Sequence, residues 1–284
     1  MPSALGSIHG ATSRIGNLPM LLRRMRLFES PLRFARYEVN PVLQALPHRL
    51  RSGRTVYLRH HSTDVGALNE VFLDNLYEAP EPVRRRLDAI SRPVILDLGG
   101  HVGMFGVWCI ERWPGARITA FEPDPLNAVM LRRTIRANDK LESWQVLDAA
   151  ASNGDGTATF HFGRGAASSL ELDGADGGDG QSMDVPLVDV LGRIAEADLV
   201  KMDIEGGEWA ILLDERFAAA VPPALVLEYH PLGCPEPDAR ACAERALRAA
   251  GLTVWHIADQ GDGMGMLWGW RQDDAGNGSG ASNA

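Results

Sequence analysis

The chain has 284 residues, of which 45% are hydrophobic and 23% charged, and this is the composition of a folded globular protein rather than a disordered, collagen-like or coiled-coil one. No stretch approaches the roughly 20 apolar residues that a membrane-spanning helix needs, and three cysteines are too few for a disulfide framework. The net charge of −9 is uneven, because residues 1–60 contain ten arginines against two glutamates. An acidic protein with one basic end is a poor candidate for nucleic-acid binding.

The N-terminal part is expected to be mainly helical. Residues 1–17 show no periodicity and lack the apolar core of a signal peptide, so we expect a flexible leader and a cytoplasmic protein. Residues 18–38 place apolar residues and arginines at helical spacing, which predicts two short helices broken at Pro31. A strand over 54–59 and a helix over 64–78 follow. We interpret residues 18–90 as a cap or lid region.

Residues 91–271 are expected to form the main domain. Short apolar runs alternate there with helical segments, which predicts an α/β fold, a parallel sheet with helices on both faces. The predicted strands are 94–98, 117–122, 144–147, 157–162, 199–202, 225–229, 252–257 and 264–270. The predicted helices are 102–113, 125–138, 208–219 and 238–250, the second capped by Asp124 with Pro125 at its first position. Residues 163–182 are interpreted as a mobile loop and residues 272–284 as a disordered tail.

In such sheets a ligand binds beyond the carboxyl ends of the strands. A glycine-rich turn, Gly99-Gly100-His101-Val102-Gly103, follows the first strand of the series. The dinucleotide fingerprint requires glycine where His101 stands, which disfavours a nicotinamide oxidoreductase, and no Walker lysine follows. Glu122, which lies 23 positions after Gly99 at the end of the second strand, suits a ribose diol. Asp148 follows the third strand, where a nucleobase would then lie, so the pattern favours a nucleoside ligand without phosphates.

Carboxylates crowd the end of the fourth strand, in the run from Lys201 to Glu208. Glu208 is explained as an early helix residue that faces the helix dipole, whereas Asp203 and Glu205 have no such explanation. His230 follows the fifth strand, and an imidazole with its ordinary pKa of about 6.5 suits proton removal near neutrality. Asp203, Glu205 and His230 are therefore the candidate catalytic residues, and each remains a candidate for the base. No clear ligand set for a metal is visible, so we expect a metal-free site.

With these segments placed, the chain resembles the FkbM family of S-adenosylmethionine-dependent methyltransferases. The resemblance lies in VILDLGGHVGMFG, ITAFEPDPLN, LDAAASNGDGTA, LVKMDIEGGEW and LVLEYHP, in that order, and in the upstream TDVGALNEVFLDNLYEAP. It implies the class I methyltransferase fold, a Rossmann-like sheet of seven strands with the last one antiparallel. It also implies bound S-adenosylmethionine. His101 stands where the family often has asparagine.

The resemblance also implies which residues meet the cofactor. The methionine part would lie near Asp97, the ribose on Glu122, the adenine by Asp148, and the methyl group near Asp203 and Glu205. The complete cofactor-binding set that we expect is Tyr77, Asp97, Gly99, Gly100, His101, Gly103, Glu122, Pro123, Asp148, Ala149 and Asp203.

The expected function is O-methylation of a small-molecule hydroxyl group in natural-product or sugar tailoring, a substrate class implied by the resemblance. The alternatives are an N- or carboxyl-methyltransferase with the same cofactor and a non-catalytic cofactor-binding partner subunit. We expect a small-molecule acceptor, no nucleic-acid or membrane partner, and a homo-oligomer formed through the N-terminal region.

Overall fold

The computed structural model of the protein describes residues 18–40, 44–162, 169–170 and 181–272. The leader over 1–17, the loop over 163–182 and the tail over 272–284 that the sequence predicts lie wholly or almost wholly outside these described residues. None of the helices in the described part of the chain is long and apolar enough to cross a membrane.

The N-terminal part begins with two short helices, and the second starts at Pro31, as the sequence predicts. Side chains from this part, among them Phe28, Phe34 and Val56, belong to the same hydrophobic cluster as Val102 of the main domain. The cap region and the sheet therefore share one core. Its elements are α1 (Leu18–Met25), α2 (Pro31–Val39), β1 (Leu46–Arg49), β2 (Thr55–Leu58), α3 (Thr63–Phe72) and α4 (Glu81–Asp88).

The main domain is built on a seven-stranded sheet within the described residues, in the order β12-β13-β11-β10-β3-β4-β5. The neighbours β11-β10-β3-β4-β5 are parallel, and β13 is antiparallel to both β11 and β12. This is the sheet that the class I methyltransferase resemblance implies, and it confirms the predicted fold class. Its strands are β3 (Val94–Leu98), β4 (Arg117–Phe121), β5 (Trp144–Leu147), β10 (Leu199–Met202), β11 (Ala224–Tyr229), β12 (Thr253–Gly261) and β13 (Met264–Trp270).

Helices flank the sheet at the predicted places, with two differences, a split of the helix predicted over 208–219 and an additional helix, Leu191–Glu196, that was not predicted. Asp124 caps its helix by accepting hydrogen bonds from the amides of Leu126 and Asn127 at 2.8 and 3.4 Å, as predicted. The helix predicted over 208–219 is instead two short helices, because the Asp214 carboxylate accepts the Arg216 amide and turns the chain. The helices are α5 (Met104–Arg112), α6 (Pro125–Ala137), α7 (Leu191–Glu196), α8 (Glu208–Leu212), α9 (Phe217–Ala220) and α10 (Ala239–Ala249).

A second sheet, four-stranded in the described part of the chain, has the order β6-β9-β7-β8. Only β7 is among the predicted strands. The sheet brings Ala150, Ala151 and Phe160 to the cavity described below. Its strands are β6 (Ala150–Ser152), β7 (Gly156–Phe162), β8 (Ser169–Leu170) and β9 (Gln181–Asp189).

Candidate active site

A cavity of about 580 Å³ opens at the carboxyl ends of β3, β4, β10 and β11. This volume is in the usual range for small-molecule sites. Helix α3 contributes a wall through Gly66 and Glu70, which share one helical face at i, i+4 spacing. The helix ends at Phe72, short of the predicted 64–78, and Asp74 lines the cavity from the segment that follows it. Eight residues of the predicted site also line the cavity: Tyr77, Gly99, Gly100, His101, Glu122, Pro123, Asp203 and Glu205.

The glycine-rich turn is held tightly between two strand ends. The amides of Gly99 and Gly100 both donate to the Phe121 carbonyl at the end of β4, at 3.1 and 2.8 Å. Gly99 has a φ of +83°, and a Cβ there would lie 1.8 Å from the Asp203 carbonyl oxygen at the end of β10. Glycine is therefore required because the turn packs against neighbouring backbone.

Glu122 fixes the far side of the same turn. Its carboxylate accepts the His101 amide at 2.6 Å through Oε2 and the Asp124 amide at 2.9 Å through Oε1. Burial raises the pKa of Glu122 to about 7, against the opposing effect of His101 and the two amides. A carboxylate oxygen accepts more than one hydrogen bond, so this cavity-lining group can still accept from a ligand hydroxyl.

His101 joins the turn to the cap region. It adopts a φ of +47°, and its Nε2 lies 3.3 Å from Oδ1 of the buried Asp64. The Asp64 carboxylate in turn accepts a hydrogen bond from the Arg59 guanidinium at 2.7 Å. Burial alone would raise the pKa of Asp64, but His101 and Arg59 outweigh it and hold that pKa well below its usual range.

Lys201 lies buried beneath the turn and counters two carboxylates. Its Nζ donates to the Gly99 carbonyl at 2.6 Å and is 3.0 Å from Asp203 Oδ2 and 3.7 Å from Asp97 Oδ1. Burial would lower the pKa of Lys201, but the two aspartates raise it above its usual value. Lys201 is therefore a fixed cation, and it lowers the pKa of Asp203 against the effect of burial.

Glu205 enters the cavity from a strained backbone. Its φ of +54° lies in the left-handed region, which costs a non-glycine residue about 1–3 kcal/mol. Glu208 holds this conformation, because its carboxylate accepts the amides of Ile204 and Gly206, one on each side of Glu205, at 2.9 Å each. Glu208 therefore anchors the loop, which is a larger role than the expected contact with the helix dipole. Burial, followed by the charge of Asp203, raises the pKa of Glu205 to about 8.

His230 lies behind Glu205, buried, with Nδ1 2.9 Å from Glu208 Oε1 and Nε2 3.4 Å from Glu205 Oε2. Burial lowers the pKa of His230, but Glu208, Asp203 and Glu205 outweigh it and raise the pKa to about 10. With only these carboxylates around it, the ring is protonated near neutral pH, so this arrangement does not favour the predicted role as a base.

Five residues of the predicted site are not among the described residues that line the cavity. Asp97 is fully buried beneath the turn, and neither of its oxygens has a hydrogen-bond partner among the described residues. Gly103 faces Leu131, and Ala149 and His230 are both buried. Asp148 has a side chain that is 61% exposed and pairs with Arg132 at 2.8 Å. The assignment of the other four to the cofactor, and of His230 to catalysis, stays a prediction.

The cavity also contains charged residues that were not predicted for the site. Glu228, at the end of β11, lines it, as do Glu70, Asp74 and Lys201. Burial, followed by the charge of Asp203, raises the pKa of Glu228 to about 9. Glu228 stands two positions before His230, so its place at a strand end was visible. Glu70 and Asp74 had only their i, i+4 spacing as a signal.

A model of the "Methyltransferase FkbM domain" matches residues 97–241, just over half of the chain. The chain belongs to the FkbM methyltransferase family. This confirms the resemblance seen in the sequence, and with it S-adenosylmethionine as the cofactor. The match covers the turn, Glu122 and the acidic strand end, all of which meet at the cavity.

The FkbM chain is also similar to "Methyltransferase sdnD" of Sordaria araneosa, with 30% identity over 93 residues, which are 33% of this chain and 33% of that protein. Among solved structures it resembles M. jannaschii TYW2 in complex with AdoMet (15% identity, TM-score 0.42, 80% of this chain and 84% of that chain). It also resembles an O-methyltransferase family protein from Burkholderia thailandensis (16% identity, TM-score 0.39, 94% and 70% covered). Similarities this low do not bear on the function.

The side chains that line the cavity suit the chemistry of the family's cofactor. Glu122 offers carboxylate oxygens to a ribose diol, and the two oxygens of Asp97, without hydrogen-bond donors among the described residues, lie under the adjoining turn. The acidic end at Asp203, Glu205 and Glu228 suits a sulfonium cation. These residues fit S-adenosylmethionine.

Proposed function

We propose that this FkbM methyltransferase methylates a hydroxyl group of a small molecule, in the tailoring of a natural product or a sugar. The family assignment supports the methyl transfer. The observation that carries the proposal is a single cavity in which Glu122 stands at the end of β4 and Asp203 and Glu205 stand at the end of β10. Such a cavity has room for a nucleoside-containing donor and a small acceptor side by side.

The bound cofactor supplies an electrophilic methyl group on a sulfonium sulfur. The chain's own contribution is to align the acceptor, because in-line displacement depends mainly on holding the reacting atoms together. Glu122 would hold the ribose, and the Gly99 turn would limit how the donor lies against β10. Asp203 is fixed by Lys201, and Glu205 is fixed by the Glu208 anchor. We assign Asp203 and Glu205 to orienting the acceptor hydroxyl through hydrogen bonds. As the hydroxyl oxygen bonds to the methyl carbon and the carbon–sulfur bond breaks, the hydroxyl proton would pass to the Glu205 carboxylate.

An amine acceptor is a second candidate. The carboxylates of Glu70, Asp74, Glu122, Asp203, Glu205 and Glu228 line the cavity, and Lys201 is the one lysine or arginine among its described lining residues. This excess of carboxylates favours a cationic acceptor over an anionic one. An amine would bind as its ammonium form and would have to lose a proton before it could attack the methyl group.

The test is to incubate the protein with trideuteromethyl S-adenosylmethionine and with polyols, glycosides, phenols, amines and carboxylic acids. Mass spectrometry then shows whether the label is transferred, and fragmentation locates it on oxygen or nitrogen. The proposal predicts labelled ethers. Label on nitrogen would support the second candidate, and label lost in mild alkali would indicate a carboxyl ester.

Glu205→Gln tests the assigned site. Assayed at about pH 9, above the raised pKa of about 8, it removes the carboxylate charge without changing the shape, so we expect kcat to fall about 10²-fold or more. The affinity for S-adenosylhomocysteine should stay close to that of the wild type. Glu196→Gln is the matched control, because Glu196 is exposed and does not line the cavity. If Glu205→Gln turned over like this control, Glu205 would have no part in catalysis.

A further inference from the structure

Three side chains at the ends of two neighbouring strands form a cluster with the geometry of a cation site. Asp203 follows β10, Glu228 lies near the end of β11, and His230 follows β11. One oxygen or nitrogen atom from each lies within 4.8 Å of the others. Because β10 and β11 are parallel, with Met202 opposite Leu227, the sheet itself sets this spacing.

The His230 ring is oriented as a ligand rather than as a free side chain. Its Nδ1 is 2.9 Å from Oε1 of Glu208, a fully buried carboxylate that the amides of Ile204 and Gly206 hold in place. Its Nε2 has no hydrogen-bond partner among the described residues, although the side chain is only 5% exposed. Metal-binding histidines are characteristically oriented by a carboxylate on the other ring nitrogen.

The charges around the cluster favour a cation. Lys201 approaches Asp203 at Oδ2, and it also faces Asp97. Glu228 has no ion pair among the described residues, and Glu205 faces Nε2 of His230 at 3.4 Å without a lysine or arginine. A buried carboxylate without a partner is unfavourable, and a dication would relieve several of them together.

We propose that Asp203, Glu228 and Nε2 of His230 bind one divalent cation of the Mn²⁺ or Zn²⁺ type, with Glu208 as the residue that positions the histidine. Two carboxylates and one imidazole are ligands that suit these ions. Binding replaces any proton on Nε2, which is released to the solvent.

Asp203 and Glu228 line the cavity, so the remaining coordination positions face the space where an acceptor would lie. A hydroxyl oxygen bound there would lose its proton more readily. This role rests on the proposed O-methylation, whereas the binding of the ion does not.

The experiment is a titration of EDTA-treated, dialysed protein with Mn²⁺, followed by electron paramagnetic resonance of the free ion, and a parallel calorimetric titration with Zn²⁺. The site predicts one ion per chain, and electron spin echo modulation of the bound Mn²⁺ should show ¹⁴N coupling from one imidazole. Because this spectrum is recorded on the wild type, it does not depend on whether a variant folds.

Variants then identify the ligands. Asp203→Asn, Glu228→Gln and His230→Gln should each weaken binding more than about 10-fold, and Glu208→Gln should weaken it about 10- to 100-fold. Glu196→Gln, an exposed carboxylate elsewhere, should bind the ion like the wild type. Circular dichroism and the melting temperature show which variants are folded.

The proposal is overturned if the wild type binds neither ion stoichiometrically, if the bound Mn²⁺ shows no ¹⁴N coupling, or if the folded Asp203 and Glu228 variants bind it unchanged. Methyl transfer in EDTA by a protein that binds no ion would leave the proposed function standing and remove the metal site. Stoichiometric ion binding without methyl transfer would do the reverse.

Discussion

Glu122→Gln is the most informative perturbation of the cofactor end of the cavity. Glu122 already holds the backbone amides of His101 and Asp124, and a ribose diol would add hydrogen bonds to the charged carboxylate. Hydrogen bonds to a charged group contribute about 1.5–3 kcal/mol. Removing the charge while keeping the shape should therefore weaken S-adenosylhomocysteine binding about 10- to 100-fold.

The assay is isothermal titration with S-adenosylhomocysteine, with the melting temperature of each variant as the measure of folding. Glu196→Gln is the matched control, because it makes the same substitution at an exposed side chain that does not line the cavity. We expect this control to change the affinity by less than about twofold. Equal losses for the two variants, or none for Glu122→Gln, would refute the assignment of the ribose to Glu122.

The pH dependence of the affinity for S-adenosylhomocysteine is a second, independent test of this assignment. The pKa of Glu122 is raised to about 7, so the carboxylate becomes charged as the pH rises through that value. The charged form is the better acceptor for a diol, so wild-type affinity should increase from about pH 6 to about pH 8. Glu122→Gln should abolish this increase. A wild-type affinity that falls over this range would contradict the reasoning.

Two further predictions concern stability. Lys201→Met leaves Asp97 and Asp203 without their buried cation and should lower the free energy of unfolding by about 3–5 kcal/mol, measured by urea denaturation; a loss below about 1 kcal/mol would show that the ion pairs contribute little. Burial and His60 lower the pKa of His48 to about 3, so between about pH 6.5 and 3 the unfolded chain binds a proton there that the folded chain does not. The free energy of unfolding should therefore decrease as the pH is lowered through this window, by up to about 1.4 kcal/mol per pH unit from this group. The decrease should be less steep in His48→Phe. If the free energy of unfolding, measured by urea denaturation, had the same pH dependence in the wild type and in His48→Phe, this reasoning would be wrong.

The central strands of the main sheet, β3, β10, β11 and β13, could be predicted because they are buried on both faces and form nearly continuous apolar runs. Asp124 and Pro125 marked the start of α6 for a local reason, the cap itself. The second sheet had no comparable signal, since β6 has three residues, Ala150–Ser152, and its pairing with β9 depends on residues far along the chain. The interruption after α8 depends on one side chain, Asp214, whose competition with the helix is not visible in hydrophobic periodicity.

Some residues of the candidate site could likewise be predicted from the sequence, whereas others are recognised only in the folded structure. Glu122, Asp203 and Glu205 could be placed together because parallel strands bring their carboxyl ends to one edge of a sheet. Glu70 could not, since nothing local indicates that α3 packs over the cavity. The role of Glu208 depends on His230, 22 positions away in the chain, and only the folded structure brings the two together.

A crystal structure of the protein with bound S-adenosylhomocysteine tests the central claim most directly. We predict that the ribose hydroxyls lie within hydrogen-bond distance of Glu122 and that the sulfur faces Asp203 and Glu205 across the cavity. A ribose held by another carboxylate, or a sulfur directed away from the end of β10, would contradict the proposed site.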